Sequence, residues 1–63
     1  METFLDVLQL LKKYGIYIYI GDRLVEFNLI EQEINELYEN KLITNDEYMR
    51  ALLIVRKERS KYS

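Results

Sequence analysis

The sequence has no cysteine, histidine or proline, and only two glycines among its 63 residues. Without cysteine and histidine there is no disulfide framework and none of the usual zinc-type metal sites. A chain of this length buries only about 60% of the surface that its unfolded form exposes. Because neither a disulfide nor such a metal site can add stability, self-association is the remaining route to it.

Long apolar stretches are missing too. The longest uninterrupted ones run from Ile16 to Ile20 and from Ala51 to Val55, far below the roughly 20 residues that cross a membrane. Glu2 and Asp6 stand where a signal peptide would carry positive charge, and no small-residue cleavage site follows. We therefore expect one small soluble domain over residues 1–63, located in the cytoplasm, with no membrane partner.

The chain also lacks the residues on which most catalysis depends. Its only serines, Ser60 and Ser63, belong to a terminal segment of the kind that frays. The two glycines are far apart, so there is no phosphate-binding loop. Glu33 and Glu36 are one helical turn apart, as on a solvated helix face, and no calcium-loop spacing is present. We expect a protein that is not an enzyme and that has no metal and no cofactor.

Charge is unevenly distributed along the chain, although the formal net charge is only -2. Residues 1–21 are balanced, residues 22–47 hold eight acids and two bases, and residues 48–63 hold five bases and one acid. The three segments therefore carry 0, -6 and +4. The net charge argues against a general nucleic-acid binder, but the basic end is an attractive face for a polyanion.

Capping residues in the local sequence predict boundaries for two helices. Helix 1 is predicted from Phe4 to Tyr14, with Thr3 as its N-cap and Gly15 as the residue that ends it. Helix 3 begins after Thr44, which forms a full capping box with Glu47. The apolar residues at helical spacing are Phe4, Val7, Leu8, Leu11 and Tyr14 in helix 1, and Tyr48, Ala51, Leu52 and Val55 in helix 3.

Helix 2 is predicted from Leu29 onward, and its start has two interpretations. Asn28 with Glu31 can cap a helix that begins late, or Asp22 can cap a longer helix. In the longer helix, Val25 and Leu29 lie off the core-facing stripe and need to be covered. A short connection over residues 40–43 makes helices 2 and 3 an antiparallel pair.

Residues 16–20 read Ile-Tyr-Ile-Tyr-Ile and have the strongest strand propensity in the chain. Gly21 and Asp22 can form a two-residue hairpin turn, and residues 23–27 alternate well enough for a return strand. Two strands alone are marginal in water. The prediction is therefore an all-α, small three-helix bundle with an extended Tyr/Ile segment between helices 1 and 2. The alternative is a helix, a β-hairpin and a helical hairpin.

Four features occur together along the chain: Tyr14-Gly15, the run into Gly21-Asp22-Arg23, Glu33-Ile34 before Glu36-Leu37-Tyr38, and the basic end of helix 3. In this combination the chain resembles the YqgQ-like family of short bacterial proteins over essentially its whole length. The resemblance implies an all-helical fold and no established activity, so no catalytic or binding residue follows from it. Residues 25–30 are more apolar than the acidic stretch such proteins tend to carry there, which leaves the start of helix 2 open.

Six tyrosines are many for a chain this short, and several lie near basic residues. Tyr17 and Tyr19 stand between Lys12, Lys13 and Arg23 in the sequence. Single-stranded nucleic acid is bound by such combinations, because aromatic rings stack bases at about 1–3 kcal/mol each while cations hold the phosphates. The simpler interpretation is that the alternation buries the isoleucines and leaves the tyrosines half-exposed without a ligand.

A second basic group is predicted on helix 3. Arg50, Lys57 and Lys61 fall within a narrow arc away from the core-facing stripe, and we call these three residues the basic ridge. Basic residues also complement a helix C-terminus. The ion pairs expected with an antiparallel helix 2 join Arg56 and Arg59 to Glu26 and Glu33.

Four apolar residues, Leu5, Leu10, Met49 and Leu53, flank the core-facing stripes of helices 1 and 3. They exceed what a three-helix core needs, and contiguous exposed apolar surface usually marks a protein interface. The leading hypothesis is weak binding of single-stranded RNA or DNA through the basic ridge and the tyrosines. The alternative is a protein-interaction module that self-associates through these apolar residues.

Overall fold

The computed structural model describes residues 1–62 and contains three α-helices followed by a short 3₁₀ turn. The elements are α1 (Phe4–Lys13), α2 (Arg23–Glu39), α3 (Asn45–Arg59) and the 3₁₀ turn (Ser60–Tyr62). Within residues 1–62 there is no strand. The all-α three-helix prediction is therefore confirmed, and the β-hairpin alternative is wrong.

Both predicted capping boxes are present. The hydroxyl oxygens of Thr3 and Thr44 accept hydrogen bonds from the backbone amides of Asp6 and Glu47, at 3.3 and 3.1 Å. The two carboxylates in turn accept from the backbone amides of the threonines. The backbone amides of Glu2 and Thr3 also lower the pKa of the Asp6 carboxyl below its ordinary value.

The longer version of helix 2 is the one that forms. Asp22 is its N-cap and accepts a hydrogen bond from the Val25 amide at 3.2 Å. Asn28 lies inside α2, so the cap it would form with Glu31 is not used. The longer helix was expected to need other residues packed over Val25 and Leu29. Leu29 is half-buried in this way, whereas Val25 stays exposed to solvent.

α1 and α2 end with the same backbone motif. Gly15 and Lys41 adopt left-handed conformations, with φ of 76° and 61°. The residue after each of them donates its amide back to the last helical turn, Ile16 to the carbonyl of Leu11 at 3.0 Å and Leu42 to that of Leu37 at 2.9 Å. This is the Schellman arrangement, which satisfies carbonyls that the helix end would leave unpaired.

α3 runs antiparallel to α2. Near its start, the Tyr48 ring stacks on Tyr38 of the last turns of α2, with ring centroids 4.1 Å apart. The Tyr48 hydroxyl donates to Asn35 Oδ1 at 2.7 Å. Beyond the far end of α3, the ring of Tyr62 lies 5.7 Å from that of Phe27 in the second turn of α2.

α1 runs in the same direction as α2. Phe4 at its start contacts Phe27 edge to face, with centroids 5.5 Å apart. Tyr14 at its end donates from its hydroxyl to the Leu42 carbonyl, which follows α2, at 2.9 Å. The chain between two parallel helices must return along the whole bundle, and an extended chain covers about 3.3 Å per residue against 1.5 Å in a helix. Residues 16–20 are extended because they must span the length of the bundle between the end of α1 and the start of α2.

The extended segment, residues 16–20, lies over the groove between α1 and α2. Ile16 and Ile18 pack against the core, while Tyr17 and Tyr19 point to solvent. The alternation predicted from the sequence is thus present without a partner strand within residues 1–62. Its neighbours across the groove are Leu8 and Leu11 of α1 and Glu26 and Ile30 of α2.

The buried core is shared by all three helices and the connection before α3. It consists of Val7, Leu10, Leu11, Phe27, Ile30, Ile34, Leu37, Ile43, Ala51 and Val55. Leu10 is only 7% exposed, so its predicted place on an interaction surface is wrong. The reason is that the start of α3 covers this side of α1, where Leu10 and Glu47 line the same depression.

The predicted ion pairs between α2 and α3 form with a different acid. Arg56 Nε lies 3.2 Å from Glu31 Oε1, and the Arg59 guanidinium also contacts Glu31. Glu26 is not their partner because it faces the extended segment instead. Glu33 is two residues from Glu31 and therefore lies on the opposite side of the helix.

Candidate functional site

The tyrosines of the extended segment are the most exposed aromatic side chains of their region. Tyr17 is 73% and Tyr19 is 92% exposed. Lys12, in the last turn of α1, lines the same shallow depression of about 250 Å³ as both rings. We call these three residues the tyrosine face. The structure thus brings together one predicted cation and the two predicted aromatic residues.

A cleft of about 320 Å³ opens beside Tyr19 at the end of the bundle where α1 and α2 begin. We call it the end cleft. Its walls are the side chains or backbone of Phe4, Leu8, Ile18, Tyr19, Gly21, Arg23, Glu26 and Ile30. Two aromatic residues, one arginine and one glutamate therefore contribute to the lining of a single depression.

Glu26 is the buried charge of the end cleft, with only 8% of its surface exposed. Its Oε2 accepts hydrogen bonds from the backbone amides of Ile20 and Gly21, both at 2.9 Å. Arg23 Nη1 is 4.0 Å from its Oε1. The two amides, first that of Ile20, lower the pKa of the Glu26 carboxyl, so the group is ionised at neutral pH.

Sequence reasoning missed Glu26 as a site residue and assigned it to the wrong contact. The helical spacing of the sequence does indicate Glu26, provided that the helix is taken to begin after Asp22. Glu26 then lies four residues before Ile30 and eight before Ile34, so it belongs to the core-facing stripe of α2. An acid on such a stripe must find hydrogen-bond donors, because burying an unpaired charge is costly.

Tyr62 is a second residue that the sequence did not point to. It is half-exposed beyond α3, and the Arg23 guanidinium carbon lies 5.7 Å from its ring centroid. The same ring packs on Phe27. Arg23 is therefore held between an aromatic face and the Glu26 carboxylate, an arrangement that fixes its orientation.

The basic ridge does not act as one unit. Arg50 forms an ion pair with Asp46 at 2.9 Å, and Lys61 forms one with Glu58 at 3.2 Å. Lys57 has no ion-pair partner within residues 1–62. Arg50 is two helical turns from Lys57, so it is set apart from the other two.

Lys57 and Lys61 lie at the same end of the bundle as the end cleft. They line a small depression together with Phe4 at the start of α1. Phe4 also lines the end cleft with Tyr19 and Arg23. The antiparallel direction of α3 thus places the C-terminal cations at the end of the bundle that holds the end cleft, which their separation in sequence did not reveal.

Lys12 and Lys13 are exposed in the last turn of α1, at the other end of the tyrosine face. Lys12 borders the rings, whereas Lys13 lines a different depression with Gln9 and Glu47. Lys12 therefore belongs to the surface that carries the tyrosines, and Lys13 faces the start of α3.

The apolar residues proposed for an interface do not form one patch. Met49 and Leu53 are 52% and 65% exposed and lie one turn apart on the outer side of α3. Leu5 is exposed on α1, seven residues before Lys12 and therefore on the side of the tyrosine face. The outer side of α3 is thus a two-residue apolar surface.

The acidic side chains are dispersed over the surface and do not gather at one point. Across residues 1–62, no three side chains of the metal-ligating types come together. In the same part of the chain, no helix combines the length and the apolar character that a membrane span requires.

Comparison with known proteins places this arrangement in a family. The chain matches the family model described as YqgQ-like over residues 1–61. It is 45% identical over 58 residues to a Bacillus subtilis (strain 168) protein whose name is "Uncharacterized protein YqgQ". The match covers 92% of this chain and 82% of that relative.

Proposed function

Because the chain belongs to the YqgQ-like family, whose description carries no activity, we propose its function from its own surface. The protein binds single-stranded RNA or DNA weakly and without catalysis, in the cytoplasm. Bases stack on the tyrosine face, and phosphates contact the cations at its two ends. Exposed aromatic rings beside cations suit single-stranded nucleic acid, because rings stack bases while cations hold phosphates.

The observation that carries the proposal is the exposure of Tyr17 and Tyr19 on one face with Lys12. Both rings project from an extended backbone that Ile16 and Ile18 anchor in the groove between α1 and α2. Successive exposed rings on a strand-like segment are spaced two residues apart, about 6.6 Å. That distance matches bases of a partly unstacked single strand better than a stacked duplex, so a single-stranded ligand is favoured.

The cations that support this path are those whose charge is free or oriented. Lys57 has no acidic partner in the described part of the chain, and Lys12 borders the rings. Arg23 is oriented over Tyr62, although it also lies 4.0 Å from Glu26. Arg50 is compensated by Asp46 and is expected to contribute least. Affinity is weak because few phosphates are contacted and the middle of the chain is acidic.

The test is fluorescence anisotropy with a labelled single-stranded heptanucleotide over a range of salt concentrations. Tyr17→Ala with Tyr19→Ala should weaken binding by about tenfold or more, since each stacked base contributes about 1–3 kcal/mol. The salt slope should stay nearly unchanged, because stacking releases no counterions. Lys57→Glu should instead lower both the affinity and the slope, by about 0.7 for each phosphate that the variant no longer neutralises.

Arg50→Glu is the matched control, because it makes a similar charge change on the same helix at a residue that is already paired. It should alter the salt slope less than Lys57→Glu does. If wild-type protein binds no oligonucleotide at low salt and high protein concentration, the proposal is wrong. The cations would then serve only the C-terminal end of α3 and its solubility.

A second candidate function is self-association, and one observation favours it. Met49 and Leu53 are exposed together on the outer side of α3, away from the tyrosine face. A chain without disulfides gains stability when such a surface is covered by a partner. The two functions use different surfaces, so a single variant on each surface separates them.

A further inference from the structure

We infer that the end cleft holds one base of the bound strand and selects guanine through Glu26 and Arg23. This inference rests on the proposed function, because the tyrosine face leads a single strand directly to the cleft through Tyr19. It adds to that function a specific base at one position of the strand.

The size and the walls of the end cleft suit a planar base. A volume of about 320 Å³ exceeds that of one base and is far too small for a duplex. Phe4 and Tyr19 border the cleft, and Arg23 lies at its rim beside Tyr62. Aromatic faces and a guanidinium plane are the surfaces on which proteins stack an unpaired base.

The carboxylate of Glu26 supplies the selectivity. Its Oε2 already accepts from two backbone amides, whereas its Oε1 has only the Arg23 contact at 4.0 Å. Oε1 therefore accepts no hydrogen bond from residues 1–62 and can receive one from a ligand in the cleft. A ligand that fits must bring N–H donors to this edge of the cleft.

Guanine fits this edge better than the other three bases. Its N1–H and exocyclic amino group are adjacent donors, and both can be directed at Oε1. Its O6 is an acceptor beside them, and arginine is the usual partner of guanine O6. Uracil presents one donor between two carbonyl oxygens, which a carboxylate repels. Adenine and cytosine each present an amino group next to a ring nitrogen that is an acceptor.

The test compares four labelled RNA heptamers that are uridine throughout except for the central base. A single guanine prevents intramolecular quadruplexes, and lithium buffer suppresses intermolecular ones. The guanine heptamer should bind about tenfold more tightly than the all-uridine heptamer, as one good set of base-edge hydrogen bonds provides. Adenine and cytosine should fall between them.

Two variants assign the preference to the end cleft. Glu26→Gln keeps one oxygen for the Ile20 and Gly21 amides and turns the free oxygen into a donor, so the guanine preference should disappear. Arg23→Lys keeps the positive charge and removes the guanidinium that pairs with guanine O6, so the guanine heptamer should lose more affinity than the uridine heptamer and the preference should fall. Glu33→Gln is the matched control on α2 and should leave the preference unchanged.

Amide NMR signals of Ile20 and Gly21 report whether the Glu26→Gln variant keeps the fold. If that variant unfolds, Arg23→Lys alone decides, because Arg23 is exposed and its replacement leaves the core intact. Equal affinity for all four heptamers, or a preference that survives Arg23→Lys, overturns the inference while the proposed function stands. No binding of any heptamer overturns both.

Discussion

At the scale of single residues, two acids fix the turn between the extended segment and α2. Asp22 accepts the amide of Val25 as the N-cap, and Glu26 accepts those of Ile20 and Gly21. These hydrogen bonds satisfy backbone donors that no helix or sheet would pair. The turn is therefore held by side chains, and one of them is also the carboxylate that faces the end cleft.

Lys41 is the residue whose backbone is least suited to its place. It has φ of 61°, a left-handed conformation that costs about 1 kcal/mol for a residue with a Cβ atom. Gly15 occupies the equivalent position after α1. We predict that Lys41→Gly raises the free energy of unfolding by up to about 1 kcal/mol, because the motif prefers glycine and less strain remains. Urea denaturation followed by circular dichroism measures it.

Gly15→Ala is the matched opposite change. No atom lies within 4 Å of a Cβ added at Gly15, so the only penalty is the left-handed backbone. This variant should lose about the stability that Lys41→Gly gains. If Lys41→Gly is destabilising instead, the Lys41 side chain has a stabilising role that outweighs the strain of its backbone.

At the scale of elements, local signals predicted the three helices, the limits of α1 and the start of α3, but not the start of α2. The capping boxes at Thr3 and Thr44 and the stop at Gly15 are all present, because each depends only on residues within one or two turns. The start of α2 had two local solutions, and the cap at Asp22 prevailed. Where α2 begins depends on the distance that residues 16–20 must span between the end of α1 and the start of α2. That distance follows from how the helices pack and cannot be read from the local sequence.

The extended segment shows why strand propensity alone did not decide the fold. Residues 16–20 are extended as their composition suggests, yet no partner strand follows, since residues 23–27 belong to α2. Parallel α1 and α2 require a crossing chain, and β-branched and aromatic residues suit one that packs on helices. In a β-hairpin, residues 23–27 would form a strand, so the first turns of α2 would not form and Phe27 would lose its buried position in the core.

We predict that the Thr44 cap supports the α2–α3 pair measurably. Thr44→Ala removes the acceptor for the Glu47 amide and should lower the free energy of unfolding by about 1 kcal/mol. In a domain this small, that change corresponds to roughly 4–8 °C in Tm. Thermal unfolding by circular dichroism measures it, with Thr44→Ser as the control that keeps the acceptor. An unchanged Tm in Thr44→Ala would contradict the role of the cap.

At the scale of the whole molecule, the candidate site was predicted in its parts and not in its assembly. Composition and sequence order pointed to Tyr17, Tyr19 and Lys12, because neighbours in an extended chain stay neighbours. Lys57 lies near Phe4 and the end cleft only because α3 is antiparallel to α2. Leu10 and the partners of Arg56 and Arg59 were misassigned for the same reason, since burial and ion pairing follow from which helix faces which.

The outer side of α3 gives a prediction for the molecule in solution. Met49 and Leu53 form its apolar part, and Arg50, Arg56 and Lys57 surround them. Asp46 pairs with Arg50 and Glu31 pairs with Arg56, so the charge beside this surface that is unpaired within residues 1–62 is that of Lys57. When two copies meet through it, apolar burial favours association while the repulsion between the two lysines opposes it. Self-association should therefore be weak and should become stronger as salt screens the repulsion. Nucleic-acid binding should respond to salt in the opposite direction.

Sedimentation velocity over a wide range of protein concentration, at low and at high salt, tests this prediction. Wild-type protein should show a larger average mass at high concentration and high salt, and its Tm should rise with protein concentration. Leu53→Lys should abolish both effects, because it places a further charge at the centre of the apolar surface. Leu5→Lys, on the other side of the molecule, should abolish neither. A monomer under every condition, with a Tm that does not depend on protein concentration, would show that the outer side of α3 is only a solvated helix face.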